Sequence, residues 1–194
     1  MPTLRVGIAI FGLSQRFALA PIYSMTMNQL WSPWRNAYVS DQQRAGSGCF
    51  LCDASVVVDA DQDLGVLHVA THSIVVLNKY PYAGGHVMVT SKRHVGDLLD
   101  LEEEEYGCLM TSVRTALKAV RLSYKPHGVN VGMNLGSAAG AGVPDHLHIH
   151  IVPRWDGDTN FMPVIGDVKV ISSTLDDAWT RIRSALHSSA NRAT

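Results

Sequence analysis

The sequence predicts a single α+β domain built on an antiparallel sheet. Short apolar runs are joined by links of a few residues, which are too short for the crossovers that parallel strands require. One long amphipathic pattern interrupts these runs, and a second helical pattern follows the last of them. The 194 residues are enough for one domain with a substantial core.

The strands are predicted from alternating apolar residues bounded by turn residues. Before the third strand, Pro81 and the glycines at 84 and 85 favour a reversal of the chain. The predicted strands cover residues 64–70, 73–79, 86–91 and 129–135, and the histidine-rich run that follows Pro144.

The long helix is expected to be capped by Asp100, with Glu103 completing a capping box. The acidic run Glu102–Glu105 is interpreted as a solvated first turn that matches the helix dipole. The sequence Lys125–Gly128 ends the helix. The stripe predicted to face the core consists of Leu101, Leu109, Val113, Leu117 and Val120.

The last helix is expected to be capped by Ser173 together with Asp176. Near the other end of the chain, Ser32 and Pro33 predict the start of a short helix. The side chains of the last helix that are predicted to face the core are Leu175, Trp179, Ile182 and Leu186.

Charge and composition limit the function classes. The chain has 16 Lys and Arg and 17 Asp and Glu residues, so its formal net charge of −1 argues against general nucleic-acid binding. No apolar run approaches the ~20 residues of a transmembrane helix, and no membrane partner is expected. Of three cysteines only Cys49 and Cys52 are close in sequence, which does not suit a secreted disulfide framework. We therefore expect a reducing, cytoplasmic location.

Residues 1–27 are interpreted as a loosely ordered N-terminal extension, and residues 28–194 as a single domain. The apolar run Val6–Leu13 behind Arg5 has some features of a signal peptide. Its basic region is thin, however, and Gln15-Arg16 interrupts the pattern, so an over-long start assignment is the favoured interpretation.

The most informative motif is the run His146-Leu147-His148-Ile149-His150. Because side chains alternate across a strand, we expect the three imidazoles on one face and the apolar residues on the other. Histidines are a poor choice for merely filling a polar face. The chemical alternatives are a catalytic zinc site with three histidine ligands and a histidine nucleophile flanked by orienting histidines. We favour the nucleophile, because a neutral imidazole can attack phosphorus.

A loop of small residues, 136–144, separates Asn134 from the histidine run. Such loops let backbone N–H groups approach an anion closely, although an ordinary turn has the same composition. The neighbouring histidines favour the phosphate-binding interpretation. The loop is not a Walker motif, since no Gly-Lys-Ser/Thr follows it.

Cys49 and Cys52 form a Cys-x-x-Cys pair, which alone fits zinc binding, redox chemistry or coincidence. A redox pair belongs at a helix start in a thioredoxin-like unit, and no such pattern is seen. Closed tetrahedral zinc would need two further ligands.

Together these motifs resemble the histidine triad superfamily over roughly residues 30–171. The resemblance rests on Asn78-Lys79 with Pro81, on Gly85-His86-Val87-Met88-Val89, on His94, on Asn134-Leu135-Gly136 and on the run from His146 to Trp155. The segments 31–35, 154–161 and 169–171 are similar to a prokaryotic branch that acts on diadenosine tetraphosphate, in which actinobacterial phosphorylases match best. The family implies an antiparallel sheet of about five strands, extended across a two-fold homodimer.

The resemblance implies an enzyme that cleaves nucleoside polyphosphates at the α-phosphate through a nucleotidyl-histidine intermediate. His148 would be the nucleophile. His150 and His86 would lie around it, where they orient and polarise the reacting groups. Water or inorganic phosphate would then accept the nucleotide, with phosphorolysis slightly favoured over hydrolysis. A zinc-dependent hydrolase with three histidine ligands and a nucleotide-binding protein with little turnover remain alternatives.

The family pattern also implies the substrate contacts. Asn78 matches a ribose-contacting position, while Asn134 and the backbone near Gly140 and Gly142 would hold phosphate oxygens. Many relatives carry Gln or Ser where this chain has Gly142, so a backbone donor or the Ser137 hydroxyl would have to substitute for that side chain.

A structural zinc ion is the cofactor that the resemblance implies. Zinc-bearing relatives use two cysteines and two histidines, which correspond here to Cys49, Cys52, His94 and His146. Such a site would tie the N-terminal loop to the catalytic strand.

Overall fold

The computed structural model describes residues 48–158, 170–171 and 173–190. The elements in these ranges are α1 (Phe50–Ser55), β1 (Val66–Val69), β2 (Ser73–Leu77), β3 (Val87–Ser91), α2 (Glu103–Tyr124), β4 (Gly128–Met133), β5 (His148–Arg154) and α3 (Leu175–Ala190). Short 3₁₀ turns at Leu98–Asp100 and Ser137–Ala139 precede α2 and β5. The N-terminal extension proposed for residues 1–27 and the helix predicted at Ser32 lie outside the described residues.

The five strands form one antiparallel sheet in the order β1-β2-β3-β5-β4. The histidine strand β5 therefore lies inside the sheet, between β3 and the edge strand β4. The predicted α+β fold with a five-stranded antiparallel sheet is confirmed, and the first four strands end within two residues of their predicted bounds. The register places His148 opposite Thr90, and His150 opposite both Met88 and Gly132.

The two faces of the sheet have different partners. Ile149 and Ile151 of β5 point towards α2 and α3 and belong to the main core, as their alternation with the histidines predicts. On the other face, a smaller apolar cluster around Leu51 of α1 includes Met88. The histidine side chains of β5 thus lie on the face opposite the long helices. Neither α2 nor α3 combines the length and apolar content that a transmembrane span needs.

The start of α2 corrects the sequence prediction. The carboxylate of Asp97, not Asp100, caps a separate 3₁₀ turn by accepting the N–H of Leu99. The long helix begins at Glu103, after Glu102, whose N–H donates to the Glu105 carboxylate at 2.9 Å. The capping box therefore pairs Glu102 with Glu105.

Glu105 is also more than a solvated charge. It accepts two hydrogen bonds from the Arg93 guanidinium, at 2.8 and 2.6 Å, and its side chain is only 14 % exposed. The Arg93 hydrogen bond, followed by the Glu102 N–H, lowers the pKa of Glu105 to about 2. This pair connects the segment after β3, which carries His94, to the first turn of α2.

The start of α3 also differs from the prediction. The hydroxyl of Thr174, not that of Ser173, accepts the N–H of Asp177. Leu175 was predicted to face the core but is 41 % exposed. The buried face of α3 is formed instead by Ala178, Ile182 and Leu186, with Trp179 partly buried beside them.

Candidate active site and metal cluster

The first histidine of the run, His146, lies just before β5 rather than within it. Its Nε2–H donates to the Ser91 carbonyl at 2.8 Å, which leaves Nδ1 unprotonated in the neutral ring. The side chain is 1 % exposed, and this burial is the main reason that its pKa is lowered. His146 is thus a neutral imidazole with a fixed tautomer, as a metal ligand must be.

Four potential ligands converge at Nδ1 of His146. This atom lies 3.3 Å from Cys49 Sγ and 3.5 Å from Cys52 Sγ, while His94 Nδ1 lies 3.1 Å from Cys52 Sγ. All four ligand atoms lie within 4.8 Å of one another. Tetrahedral zinc, with Zn–S near 2.3 Å and Zn–N near 2.0 Å, needs ligand atoms about 3.3–3.8 Å apart. The three separations of 3.1–3.5 Å are close to this range, so the four residues predicted as ligands fit a zinc ion.

The chemistry of the thiols points the same way. Burial, the neighbouring Cys49 and the charge of Asp53 raise the pKa of the Cys52 thiol above its ordinary value. A nearby cation would offset this effect on Cys52 and favour the thiolate that metal binding requires. Within the described residues, this cluster is the one group of three or more side chains with metal-ligand geometry. It takes one triad histidine, not all three.

His148 has the tautomer that a nucleophile requires. Its Nδ1–H donates to the carbonyl of His146 at 2.8 Å, so the lone pair of the neutral ring lies on Nε2. The imidazole is 5 % exposed and stands at the first position of β5. The carbonyl that fixes the ring belongs to the residue whose own side chain joins the cysteine cluster.

His86 and His150 are connected in a chain of hydrogen bonds. The N–H of Tyr82 donates to His86 Nδ1 at 3.0 Å, so the proton of neutral His86 is on Nε2. That proton is directed at His150 Nδ1, 3.0 Å away. His150 therefore carries its own proton on Nε2, the ring atom remote from His86.

Asn78 lies at the end of this chain. Its Oδ1 accepts the N–H of Tyr80 at 2.8 Å, which orients the amide so that Nδ2 lies 3.5 Å from His86 Nε2. Since His86 Nε2 carries a proton, the latter is a contact rather than a hydrogen bond. The predicted ribose-binding residue is thus held beside the predicted catalytic histidines.

Tyr82 is a site residue that the sequence analysis missed. Its ring lies over His86, with centroids 4.7 Å apart, and 5.8 Å from the centroid of His150. The rings of His148 and His150 are 5.0 Å apart and nearly perpendicular. In the sequence, the residues around Pro81 predict only a turn. The strand pairing that brings Tyr82 over β5 is not visible in the sequence.

The loop after β4 is closed on itself by backbone contacts. The Asn134 side chain donates to the Gly140 carbonyl at 3.3 Å, and the Gly140 N–H donates to the Ser137 carbonyl at 2.9 Å. Gly136 and Gly140 have φ values of 77° and 85°, which side chains disfavour. Gly142 follows in this loop and has only backbone groups that could bind a phosphate. The structure thus places Asn134 and Gly140 together, while Ser137 contributes a carbonyl to the turn.

An open cleft of about 330 Å³ adjoins His150 on the histidine face of β4 and β5. Its walls include Tyr82, Asn134, Asn130 and Arg154. This volume is at the lower end of the ~300–1,000 Å³ typical of small-molecule sites.

Comparison with known proteins identifies the family. A family model described as the HIT domain matches residues 61–157, half of the chain. The chain belongs to the HIT domain family. An AP-4-A phosphorylase of Mycobacterium tuberculosis is 38 % identical to it over 156 residues, covering 78 % of this chain and 80 % of that protein. The resemblance inferred from the motifs is confirmed.

Two further relatives extend the comparison. A bis(5'-nucleosyl)-tetraphosphatase [asymmetrical] of Schizosaccharomyces pombe is 38 % identical over 82 residues, 42 % of this chain and 44 % of that protein. The crystal structure of a Zn-bound histidine triad family protein from Mycobacterium smegmatis has a TM-score of 0.59 at 23 % identity, covering 75 % of this chain and 97 % of the other. At that identity the likeness concerns the fold.

Proposed function

We propose that this HIT protein is an enzyme that cleaves nucleoside polyphosphates, with diadenosine tetraphosphate as its lead substrate, at the α-phosphate. The observation that carries the proposal is the hydrogen bond from His148 Nδ1 to the His146 carbonyl, because it directs the Nε2 lone pair away from the backbone. The names of the M. tuberculosis and S. pombe relatives support this class of substrate.

In the first step, His148 Nε2 attacks the α-phosphorus. A phosphorus–nitrogen bond forms and the bond to the bridging oxygen breaks, so adenylate stays on His148 and adenosine triphosphate departs with the bonding electron pair. The ring becomes positively charged when Nε2 is substituted. The His146 carbonyl stabilises this charge, since its dipole faces the Nδ1–H.

In the second step, an acceptor oxygen attacks the phosphorus of the adenylyl-histidine and the phosphorus–nitrogen bond breaks. Water would yield adenosine monophosphate, and inorganic phosphate would yield adenosine diphosphate. The acceptor's proton leaves with a neighbouring base or solvent, and neutral His148 is regenerated. We favour phosphorolysis. The M. tuberculosis relative, whose name is AP-4-A phosphorylase, supports this choice because the match covers 80 % of that protein.

The residues around His148 would position the substrate and polarise its phosphate group. His150 presents a protonated Nε2, which suits donation to a phosphate oxygen, and His86 holds that tautomer through its 3.0 Å contact with His150 Nδ1. Asn78 would contact ribose. Asn134 and the backbone of the loop at Gly140 and Gly142 would donate to phosphate oxygens, with Ser137 as a further donor.

Cys49, Cys52, His94 and His146 would hold one structural zinc ion. The ion would supply a cation that keeps both thiols ionised and cross-links three segments of the chain. It takes no part in the reaction. Its effect reaches the site through His146, whose ring would be fixed by zinc and whose carbonyl orients His148.

The function is tested by incubating the protein with diadenosine tetraphosphate, with and without inorganic phosphate, and identifying the nucleotides released. We expect adenosine triphosphate in both cases, accompanied by adenosine diphosphate when phosphate is the acceptor. His148→Ala should abolish release. His127→Ala is the matched control, since His127 lies at the surface beside Asp156 and should behave like wild type. Tight binding of substrate without release would instead indicate a nucleotide-binding protein.

The zinc site is tested by elemental analysis of freshly purified protein. We expect about one zinc ion per chain in the wild type and a large loss in Cys52→Ser. Cys108→Ser is the control, because Cys108 contacts Ser73 rather than the cluster. Wild-type protein that lacks zinc would remove this part of the proposal. Sustained turnover after the ion is chelated, for as long as the fold survives, would exclude the three-histidine zinc hydrolase.

We also propose that the protein is a homodimer in the cytoplasm. Among the described residues β4 is an edge strand with a partner on one side only, and its Val131 is 47 % exposed, which suits pairing with a second copy. Light scattering after size-exclusion chromatography should give the mass of two chains. A single-chain mass at micromolar concentration would contradict the dimer.

A further inference from the structure

Three residues that line the cleft beside His150, namely Asn130, Gly132 and Arg154, have no role assigned above in binding the transferred nucleotide. The residues assigned to that nucleotide begin at Asn78, which lies just after β2, two strands away from β5 on the β3 side. The cleft lies on the opposite side of β5, against β4. Any substrate that reaches from Asn78 across His148 and His150 therefore has its remaining portion directed towards the cleft.

The β4 wall of this cleft has an unusual pattern. Every second residue faces the histidine side of the sheet, and these positions hold Asn130, Gly132 and Asn134 rather than apolar side chains. Gly132 pairs directly with His150. A Cβ atom built at Gly132 meets no atom within 4 Å, so the glycine is not required by close packing or by a positive φ. Its effect is to leave space beside His150.

Two polar side chains in the walls of the cleft are held in fixed orientations. Arg154 donates to Asn130 Oδ1 at 3.1 Å, which leaves the Nδ2 group of Asn130 as its donor. Arg154 is itself fixed by Asp158, at 2.6 and 3.0 Å. The cleft therefore offers an amide donor and a cation whose charge is partly offset by a carboxylate. These two groups suit the phosphate and ribose hydroxyl groups of a nucleotide.

We infer that this cleft is the subsite for the part of the substrate beyond the scissile bond, and that Gly132 is a specificity-determining residue that keeps it open. The inference rests on the proposed function and deepens it. Such a subsite makes the enzyme selective for dinucleoside polyphosphates, whose departing half is a nucleotide, over adenylate compounds with a small leaving group. A side chain at Gly132 would occupy the space needed by the departing half but not the site of the transferred adenylate.

The test compares Gly132→Val with Gly128→Val. Both glycines lie in β4 and face the same side, and both have open space around a Cβ atom, but Gly128 does not line the cleft. Valine suits a strand, so neither variant should lose stability. Each variant is assayed on diadenosine tetraphosphate and on adenosine 5′-phosphoramidate, whose leaving group is ammonia. We expect Gly132→Val to lower kcat/KM for the tetraphosphate by about 10–100-fold, the scale of a steric mismatch in a pocket. The phosphoramidate should be affected little, and Gly128→Val should resemble wild type on both.

Equilibrium binding separates this inference from the proposed function. Calorimetric titration should show that Gly132→Val weakens binding of diadenosine tetraphosphate while adenosine monophosphate binds as it does to wild type, which also reports an intact fold. Equal losses for both ligands, or no loss for either, would overturn the inference even if the enzyme is active. Failure of the wild type to turn over either substrate would overturn the proposed function, and the binding comparison would still decide the role of Gly132.

Discussion

Thr90 connects β3 to the start of the histidine strand, and its removal tests how that strand is held. Its hydroxyl donates to the Leu147 carbonyl at 2.7 Å, and the residue is fully buried. Thr90→Val preserves the shape of the side chain but removes this donor from a buried carbonyl. Loss of one partner in such a pair costs about 1–3 kcal/mol. For a chain of this size that corresponds to a fall in Tm of roughly 2–10 °C.

The consequence for activity follows from where Leu147 lies. Its peptide groups join His146 to His148, so a shift there moves the carbonyl that orients the His148 ring. We expect kcat to fall while KM changes little, since no substrate contact is removed. Tm is measured by scanning calorimetry at a fixed zinc concentration, and kcat with saturating diadenosine tetraphosphate.

Thr115→Val provides the matched control. Its hydroxyl donates to the Thr111 carbonyl at 3.0 Å on the partly exposed side of α2, where water can replace it. We expect a change within about 0.5 kcal/mol. If Thr90→Val were as stable as Thr115→Val and fully active, the Leu147 carbonyl would not be a determinant of the site.

Two further predictions concern the supports of the site. Gly85 precedes His86 with φ 82°, and a Cβ atom there would lie 2.6 Å from the Tyr124 ring. In chemical denaturation, Gly85→Ala should therefore lower the free energy of unfolding by about 1–3 kcal/mol, and it should also lower kcat. The control Gly107→Ala, at an exposed position of α2, should raise the free energy of unfolding by up to about 1 kcal/mol. Glu105→Gln should lower Tm at pH 7 by roughly 2–4 °C, because the lowered pKa of Glu105 stabilises the fold wherever the carboxylate is ionised. That difference should disappear as the pH falls from about 4.5 to about 2, and a difference independent of pH would refute the role of the Arg93 pair.

Much of the fold was predictable because local signals and tertiary structure agree. The alternation of apolar residues with His148 and His150 predicted a two-faced strand, and Ile149 and Ile151 are indeed in the core. The sequence pattern marked only the pair Cys49 and Cys52, and the resemblance to zinc-bearing relatives supplied His94 and His146 as the other two predicted ligands. The structure then brings Cys49 to within 3.3 Å of a histidine 97 residues away.

The errors arose where long-range contacts decide between similar local signals. Asp97, Asp100 and Glu102 are all acceptable caps, and the helix start is fixed by Glu105, which is engaged by Arg93 from the segment after β3. Tyr82 and Gly132 escaped notice for the same reason. Their importance depends on strand pairing that places both beside His150, and neither belongs to a recognisable motif.

The central claim is that adenylate becomes covalently bound to Nε2 of His148. The most direct measurement is rapid denaturation of the enzyme during turnover of diadenosine tetraphosphate labelled at the α-phosphate, followed by mass spectrometry of alkaline-stabilised peptides. We predict one adenylyl group on the peptide that contains His148, and none in His148→Ala. Turnover by the wild type with no labelled protein, or with the label on another residue, would contradict the account.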